Sequence, residues 1–318
     1  MSTQDRTYEG RRLPRPQEEL VDQGLCFDLG TLVSRRSALR GLGAGVAALG
    51  LAACGGGSST STGGASTAST APATTGAVSA VAEEIPDETA GPYPGDGSNG
   101  PDVLGQSGVV RSDIRSSFGG ATGVAEGVPM QLDLVVRDLA NGGAPFAGVA
   151  VYVWHCDREG RYSMYSDGVA GENYLRGVQV ADAQGRVSFT SVFPACYAGR
   201  WPHVHFEVYP DLASTTDSSA ALATSQVALP QDACAAVYAE SGYEQSVRTL
   251  AQVSLASDGV FGEDSGALQL GMVSGDVRRG YVVTLAVGVD TTTAPSGGQI
   301  GGSGAPAGAP PGGAPPRR

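Results

Sequence analysis

The run QLDLVVRD, residues 131–138, decides the fold class. Leu132, Leu134 and Val136 occupy every second position, and side chains two apart on an extended chain share a face. A turn-rich stretch, NGGAPFAG (141–148), follows, and then the apolar run VAVYVWHC (149–156). The alternation returns in RVSFTSVF (186–193) after the turn Asp182–Gly185. HVHFEVY (203–209), ATSQVAL (223–229), ALQLGMV (267–273) and YVVTLAV (281–287) complete the set of candidate strands. Gly and Asn/Asp turns separate them at intervals of roughly 8–20 residues, and no long 3.6-residue period competes. Asp232–Glu240 alone has the pattern of a short helix. The pattern predicts an all-β protein with a single β-sandwich domain over residues 85–290, long enough for a full core.

The flanks have a different composition. Arg35-Arg36 precedes a weakly apolar run, Leu42–Ala53, that ends at Cys54 and a run of glycines. That run is shorter than the roughly 20 residues a membrane span needs. It reads as the apolar part of an export signal, with the paired arginines pointing to the twin-arginine route. Leu51-Ala52-Ala53-Cys54 resembles a bacterial lipobox, in which Cys54 would be lipidated and become the mature N-terminus. Residues 1–53 are therefore expected to be a signal segment. Residues 54–84 are expected to be a flexible Gly/Ser/Thr/Ala tether reaching on the order of 30 Å. Residues 291–318, rich in Gly, Pro and Ala, are expected to be a disordered tail. The protein is then exported, as a cell-surface lipoprotein or an extracellular protein. The twin-arginine route carries folded proteins, which suits one that takes up its cofactor in the cytoplasm.

The charge excludes some partners. The chain has 318 residues, a formal net charge of −12 and no lysine, so all 20 basic residues are arginine. Phosphate-backbone binding needs a basic face, so nucleic acid is not expected as a partner. Anionic lipid would repel the domain, leaving the Cys54 anchor as its only membrane contact. In an exported chain Cys156, Cys196 and Cys234 would allow one disulfide and one leftover thiol, and the sequence does not choose the pair.

The chain has only three histidines, His155, His203 and His205. If HVHFEVY is extended, His203 and His205 face the same way and two imidazoles can converge on one metal ion. Pro202, which has no N–H to give a ladder, stands where that strand begins.

The surrounding sequence carries a further pattern. It contains W-H-x-D-x-x-G-x-Y-S at 154–163, L-R-G-x-Q at 175–179, D-x-x-G-x-x-x-F-T at 182–190, P-x-x-Y at 194–197 and R-x-x-H-x-H at 200–205. Weaker matches lie at ETAGPYPGD (88–96), VVRSDIR (109–115) and TSQVALP (224–230). In this order the elements resemble the intradiol ring-cleavage dioxygenases, which open catechols between their two hydroxyls. The signal-like N-terminus resembles the exported branch of that family. The resemblance implies a non-haem Fe(III) cofactor held by Tyr162, Tyr197, His203 and His205. It also implies a small aromatic diol and O2 as reactants and a muconate-type diacid as product. Tyr197 would leave the metal when substrate chelates and would take a substrate proton. Arg200 would stabilise negative charge on the ring, and Gln226 would lie beside the substrate. Phenolate is a hard anionic donor suited to Fe(III), and two of them offset much of the ion's charge.

Other readings compete. Tyr165 and Tyr174 lie near enough to rival Tyr162, and Tyr93 is a candidate for the pocket mouth. His155 with His203 and His205 would make a three-histidine zinc site, and thus a zinc hydrolase. A β-sandwich binding module that has lost catalysis is a third possibility, although an intact ligand set argues against it. The acidic composition favours uncharged catechols over carboxylated ones. Neither of the family's modes of dimerisation carries over to a chain with this tether.

Overall fold

A computed structural model of the chain describes residues 7–8, 11–12, 81 and 83–296. Nearly all of the expected signal segment, Cys54, nearly all of the expected tether and most of the expected C-terminal tail lie outside the described residues. The chain divides into two units, Met1–Thr75 and Gly76–Arg318. In the first, Thr7–Tyr8 pairs antiparallel with Arg11–Arg12; all that follows concerns the second.

Two sheets form a sandwich. The first is built around β1 (Pro129–Asp138), the alternating run identified above. It pairs antiparallel with β5 (Arg186–Val192) and, at its end, with the short β2 (Ala144–Pro145). On its other side β1 pairs parallel with β9 (Gly280–Val289), which pairs antiparallel with β8 (Met272–Asp276). The second sheet is antiparallel throughout, in the order β4 (Arg176–Val180), β3 (Ala150–Trp154), β6 (His203–Tyr209), β7 (Ala223–Ala228).

Register follows the apolar periodicity. Leu132, Leu134 and Val136 sit opposite Val283, Leu285 and Val287, so one inward row continues into the next. These residues pack with Phe189 of β5, with Val151 and Val153 of β3, and with Val204, Phe206 and Val208 of β6. A fully buried Phe side chain contributes about 1.5–3 kcal/mol, and the row as a whole makes the sandwich core.

An antiparallel sheet usually leaves one face to water. Here β3 and β6 are buried along their whole length. Their outward side chains, Tyr152, Trp154 and Tyr209, form a second apolar cluster with Tyr93, Val103, Leu104 and Val109 from the long segment before β1. That segment is tied down by backbone bonds from Val178 N to Val109 O (2.9 Å) and from Leu175 N to Ile114 O (2.6 Å). The outer face of the second sheet is thus covered where β3 and β6 lie, and His203 and His205 belong to it.

Two helices follow β7: α1 (Gln231–Tyr238), close to the predicted span, and α2 (Glu244–Leu250), which the sequence did not announce. The strand predicted at 267–273 begins later, at Met272. Leu270 makes only an isolated bridge to Ala228. At Gly271 a Cβ would come within 2.7 Å of Val283 Cγ1, so the chain there passes too close to β9 for a side chain. The expected disulfide is also absent: Cys156, Cys196 and Cys234 are all free and buried. Their sulfurs lie near the carbonyl oxygens of Ala195, Arg200 and Leu229 respectively. Burial pushes the thiols of Cys156 and Cys234 far above their ordinary range and that of Cys196 to about 11, so none offers a ready thiolate.

Candidate metal centre

Strand alternation sets half of the site. On β6, Val204 and Phe206 enter the core, which turns His203 and His205 onto the outer face. The loop after β3 brings in Tyr162, and the loop after β5 brings in Tyr197. Side-chain donors then meet in a chain of short approaches: Tyr162 Oη to Tyr197 Oη at 3.3 Å, Tyr197 Oη to His203 Nε2 at 3.2 Å, and His203 Nε2 to His205 Nε2 at 3.1 Å. All four residues are buried. Tyr162, Tyr197, His203 and His205 are the four residues that the sequence motifs single out.

The surroundings prepare the nitrogens. His203 Nδ1 lies 2.5 Å from Trp201 O. A proton placed on Nδ1 to satisfy that carbonyl leaves the lone pair on Nε2, facing the cluster. The His205 ring stacks on Trp154 at 4.9 Å and 8°, and Gly91 lies against its edge, where a Cβ would approach Cε1 to 3.4 Å. Burial, reinforced by the charge of Arg200, pushes His203 down to about 3. Burial and neighbouring His203 push His205 lower still. Both rings are neutral and able to donate. Burial raises both phenols; Tyr197 raises Tyr162 further, whereas the Arg200 charge and the hydrogen bond with Tyr162 partly offset the rise at Tyr197.

The donor set fits a metal ion. Donors 3.1–3.3 Å apart suit neighbouring ligands about 2 Å from one centre. Two phenol oxygens with two imidazoles favour a hard, highly charged ion, which would offset the cost of ionising buried phenols. Among the described residues no three or more His, Cys, Asp and Glu side chains gather as a metal-holding group, so the convergence depends on the tyrosines.

The rival residues are engaged elsewhere. His155 contacts Ser191 Oγ at 2.7 Å through Nε2 and Cys156 O at 2.8 Å through Nδ1, which uses both ring nitrogens. Tyr174 donates to Asp157 Oδ2 at 3.0 Å and Tyr165 to Asn99 Oδ1 at 2.8 Å. The Tyr93 ring packs against Tyr162 at 5.0 Å, on the site's wall.

Arg200 is buried beside the cluster. It donates through Nε to Asp258 Oδ2 at 3.0 Å and through one terminal nitrogen to Gln226 Oε1 at 2.6 Å. Gln226, opposite His205 in the ladder, donates in turn to Thr89 O at 3.1 Å. Asp258 was not singled out by the sequence reading. Its second oxygen accepts from Val260 N (2.8 Å) and Phe261 N (3.1 Å), and Oδ2 also accepts from Trp201 N (2.6 Å). The only sequence signal for it is an Asp before a Gly in a turn, which is common in any β protein.

Comparisons with known proteins point the same way. The Dioxygenase family model matches residues 110–216, the stretch that holds both tyrosines, both histidines and Arg200. The chlorocatechol 1,2-dioxygenase of Pseudomonas sp. (strain P51) is 35% identical over 98 residues, covering 24% of this chain and 39% of that enzyme. The chain thus spans about two fifths of that curated relative. Among solved structures, the intradiol ring-cleavage dioxygenase of Tetranychus urticae superposes with a TM-score of 0.53 at 21% identity, covering 66% of this chain and 96% of that one. At that identity the likeness concerns the fold.

Proposed function

We propose that the protein is a non-haem Fe(III) intradiol dioxygenase that opens catechol-type diols with O2 to muconate-type diacids. One observation carries the reading: the phenols of Tyr162 and Tyr197 and the Nε2 atoms of His203 and His205, all on buried residues, converge in steps of at most 3.3 Å. Ferric iron, when bound there, would activate a chelated catechol for reaction with O2.

The chain's own residues supply the rest. Tyr197 Oη sits between the other phenol and His203; ionised by the ion it would help to hold, it could accept a proton from a catechol bound at the cluster. Tyr162, packed by Tyr93, and the two histidines keep the remaining donors in place. The Arg200 guanidinium lies beside the donors, where it can stabilise negative charge developing on the ring. Asp258 and Gln226 hold it in that orientation. Trp154, Tyr93 and the segment packed on them cover the cluster with apolar surface.

Asp258 matches the charge of Arg200. Glu88, whose carboxyl burial raises to about 7, lies in the same field. A carboxylated substrate gains little from Arg200 in this setting, which supports uncharged catechols as the substrate class. The export reading rests on the sequence around Arg35-Arg36 and Cys54 alone. Metabolic labelling with a fatty acid, present in the wild-type protein and lost in Cys54→Ser, would test it.

The activity has a direct test. Protein loaded with ferric iron should show the broad visible band of tyrosinate-to-iron charge transfer. With catechol under air it should consume one O2 per diol as a muconate absorbance grows. Folded protein that stays colourless with iron and leaves catechol intact would refute the reading.

A further inference from the structure

Arg176, in the L-R-G-x-Q motif, is a cation with 1% exposure that has no part in the chemistry above. Its hydrogen bonds are all made within the fold. Nε donates to Ser163 Oγ at 3.1 Å. One terminal nitrogen donates to Pro94 O at 2.6 Å and Tyr152 Oη at 3.1 Å, and the other to Tyr93 O at 2.9 Å and Ser163 O at 3.0 Å. Those are five donors and five acceptors, the full capacity of a guanidinium. The acceptors belong to two separate loops and one strand.

The two loops are the walls of the metal centre. Ser163 directly follows the ligand Tyr162. Tyr93 and Pro94 belong to the loop whose tyrosine ring packs on Tyr162 at 5.0 Å. Three further observations show the fold accommodating this tie. At Gly95 a Cβ would come within 2.8 Å of an Arg176 terminal nitrogen, so the loop needs glycine to pass the guanidinium. Met164, two residues after Tyr162, has φ 71°, and Leu175, just before Arg176, has φ 57°. Non-glycine residues hold such conformations only where their surroundings overdetermine them. The guanidinium carbon also lies 5.4 Å from the Tyr165 ring centroid.

We propose that Arg176 is a positioning residue for the metal centre. By cross-linking the 93–95 loop to the 162–166 loop from β4, it fixes the phenol oxygen of Tyr162 where His205, His203 and Tyr197 can share an ion with it. The fork of Arg spans acceptors on both loops at once, and the single ammonium of Lys cannot. The inference rests on the four-donor reading of the centre.

The test compares full-length wild type, Arg176→Lys, Ser163→Ala and Phe206→Leu. The last perturbs the sandwich core: Phe206 follows His205 in the chain, but its side chain enters the core on the opposite face of β6. Iron release to a chelator and the position of the visible charge-transfer band are followed below the melting temperature of every variant. Arg176→Lys is expected to release iron at least tenfold faster than wild type and to shift the band. Ser163→Ala should act in the same direction by a smaller factor, while Phe206→Leu lowers the melting temperature and leaves both readouts in place. Wild-type release and an unmoved band in Arg176→Lys, or changes no larger than those of Phe206→Leu, would overturn the inference.

If wild type takes up no iron, the four-donor reading fails, and amide exchange in the metal-free chain decides on the tie. Gly95 N–H is held by Tyr165 Oη and Ser166 N–H by Tyr162 O. Both should exchange at least tenfold faster in Arg176→Lys than in Phe206→Leu. Equal exchange would overturn the tie as well.

Discussion

Replacing Asp258 by Asn should damage stability and the candidate metal centre together. The carboxylate accepts from four donors: Arg200 Nε and Trp201 N on one oxygen, Val260 N and Phe261 N on the other. Its side chain is fully buried and that of Arg200 is 6% exposed. An Asn oxygen can still serve Val260 and Phe261. Its amide then faces Arg200 Nε and Trp201 N, donor against donors, with the guanidinium left uncompensated. Breaking a buried pair in this way costs about 3–5 kcal/mol. For a domain of this size about 2–4 °C of melting temperature go with each kcal/mol, so a fall of roughly 6–20 °C is expected.

The pH dependence follows from the same contacts. Burial pushes the Asp258 carboxyl up, but the Arg200 charge and the backbone N–H groups of Trp201, Val260 and Phe261 outweigh it, and its pKa lies below the ordinary value. A depressed carboxyl stabilises the fold above its unfolded pKa, about 3.9, and loses that contribution as pH falls through the folded value. The stability gap between wild type and Asp258→Asn should therefore be level from pH 8 to pH 5 and shrink below about pH 4. Urea denaturation across that range measures it. A gap under about 1 kcal/mol at pH 7, or one that grows on acidification, would refute the reasoning.

Three other outcomes are expected. Glu207 is buried next to Tyr209, and burial raises its carboxyl to about 8, so it is protonated in the fold at neutral pH. A raised acid costs stability as pH climbs from about 4.3, the unfolded value, towards the folded one. Glu207→Gln should then gain on wild type in denaturant unfolding between pH 5 and 8, and a loss at pH 8 would contradict this. Tyr197→Phe removes one phenol from the donor chain and should cut catechol turnover at least a hundredfold while weakening the visible band. Near wild-type turnover would displace Tyr197 from its role. Peptide mapping after alkylation in denaturant should find Cys156, Cys196 and Cys234 all modified without prior reduction, and melting should not respond to a reductant. A protected pair would restore the disulfide expected of an exported chain.

The residues of the chain were enough to announce the strand class, since a period of two is imposed by the backbone and shows wherever one face is buried. QLDLVVRD, RVSFTSVF and HVHFEVY became strands with the alternating faces their apolar positions demand. The same alternation put His203 and His205 on one face, and motif order singled out Tyr162 and Tyr197 from 11 tyrosines. Local pattern stopped there. The parallel pairing of β1 with β9 joins segments about 150 residues apart, and no local period encodes such a partner. The burial of β3 and β6 on both faces, the free thiols, and the Asp258 and Arg176 contacts likewise depend on segments distant in sequence. Hydrogen bonds from a buried guanidinium or carboxylate are set by which chain segments surround it, and that is decided only when the loops close over the sheet.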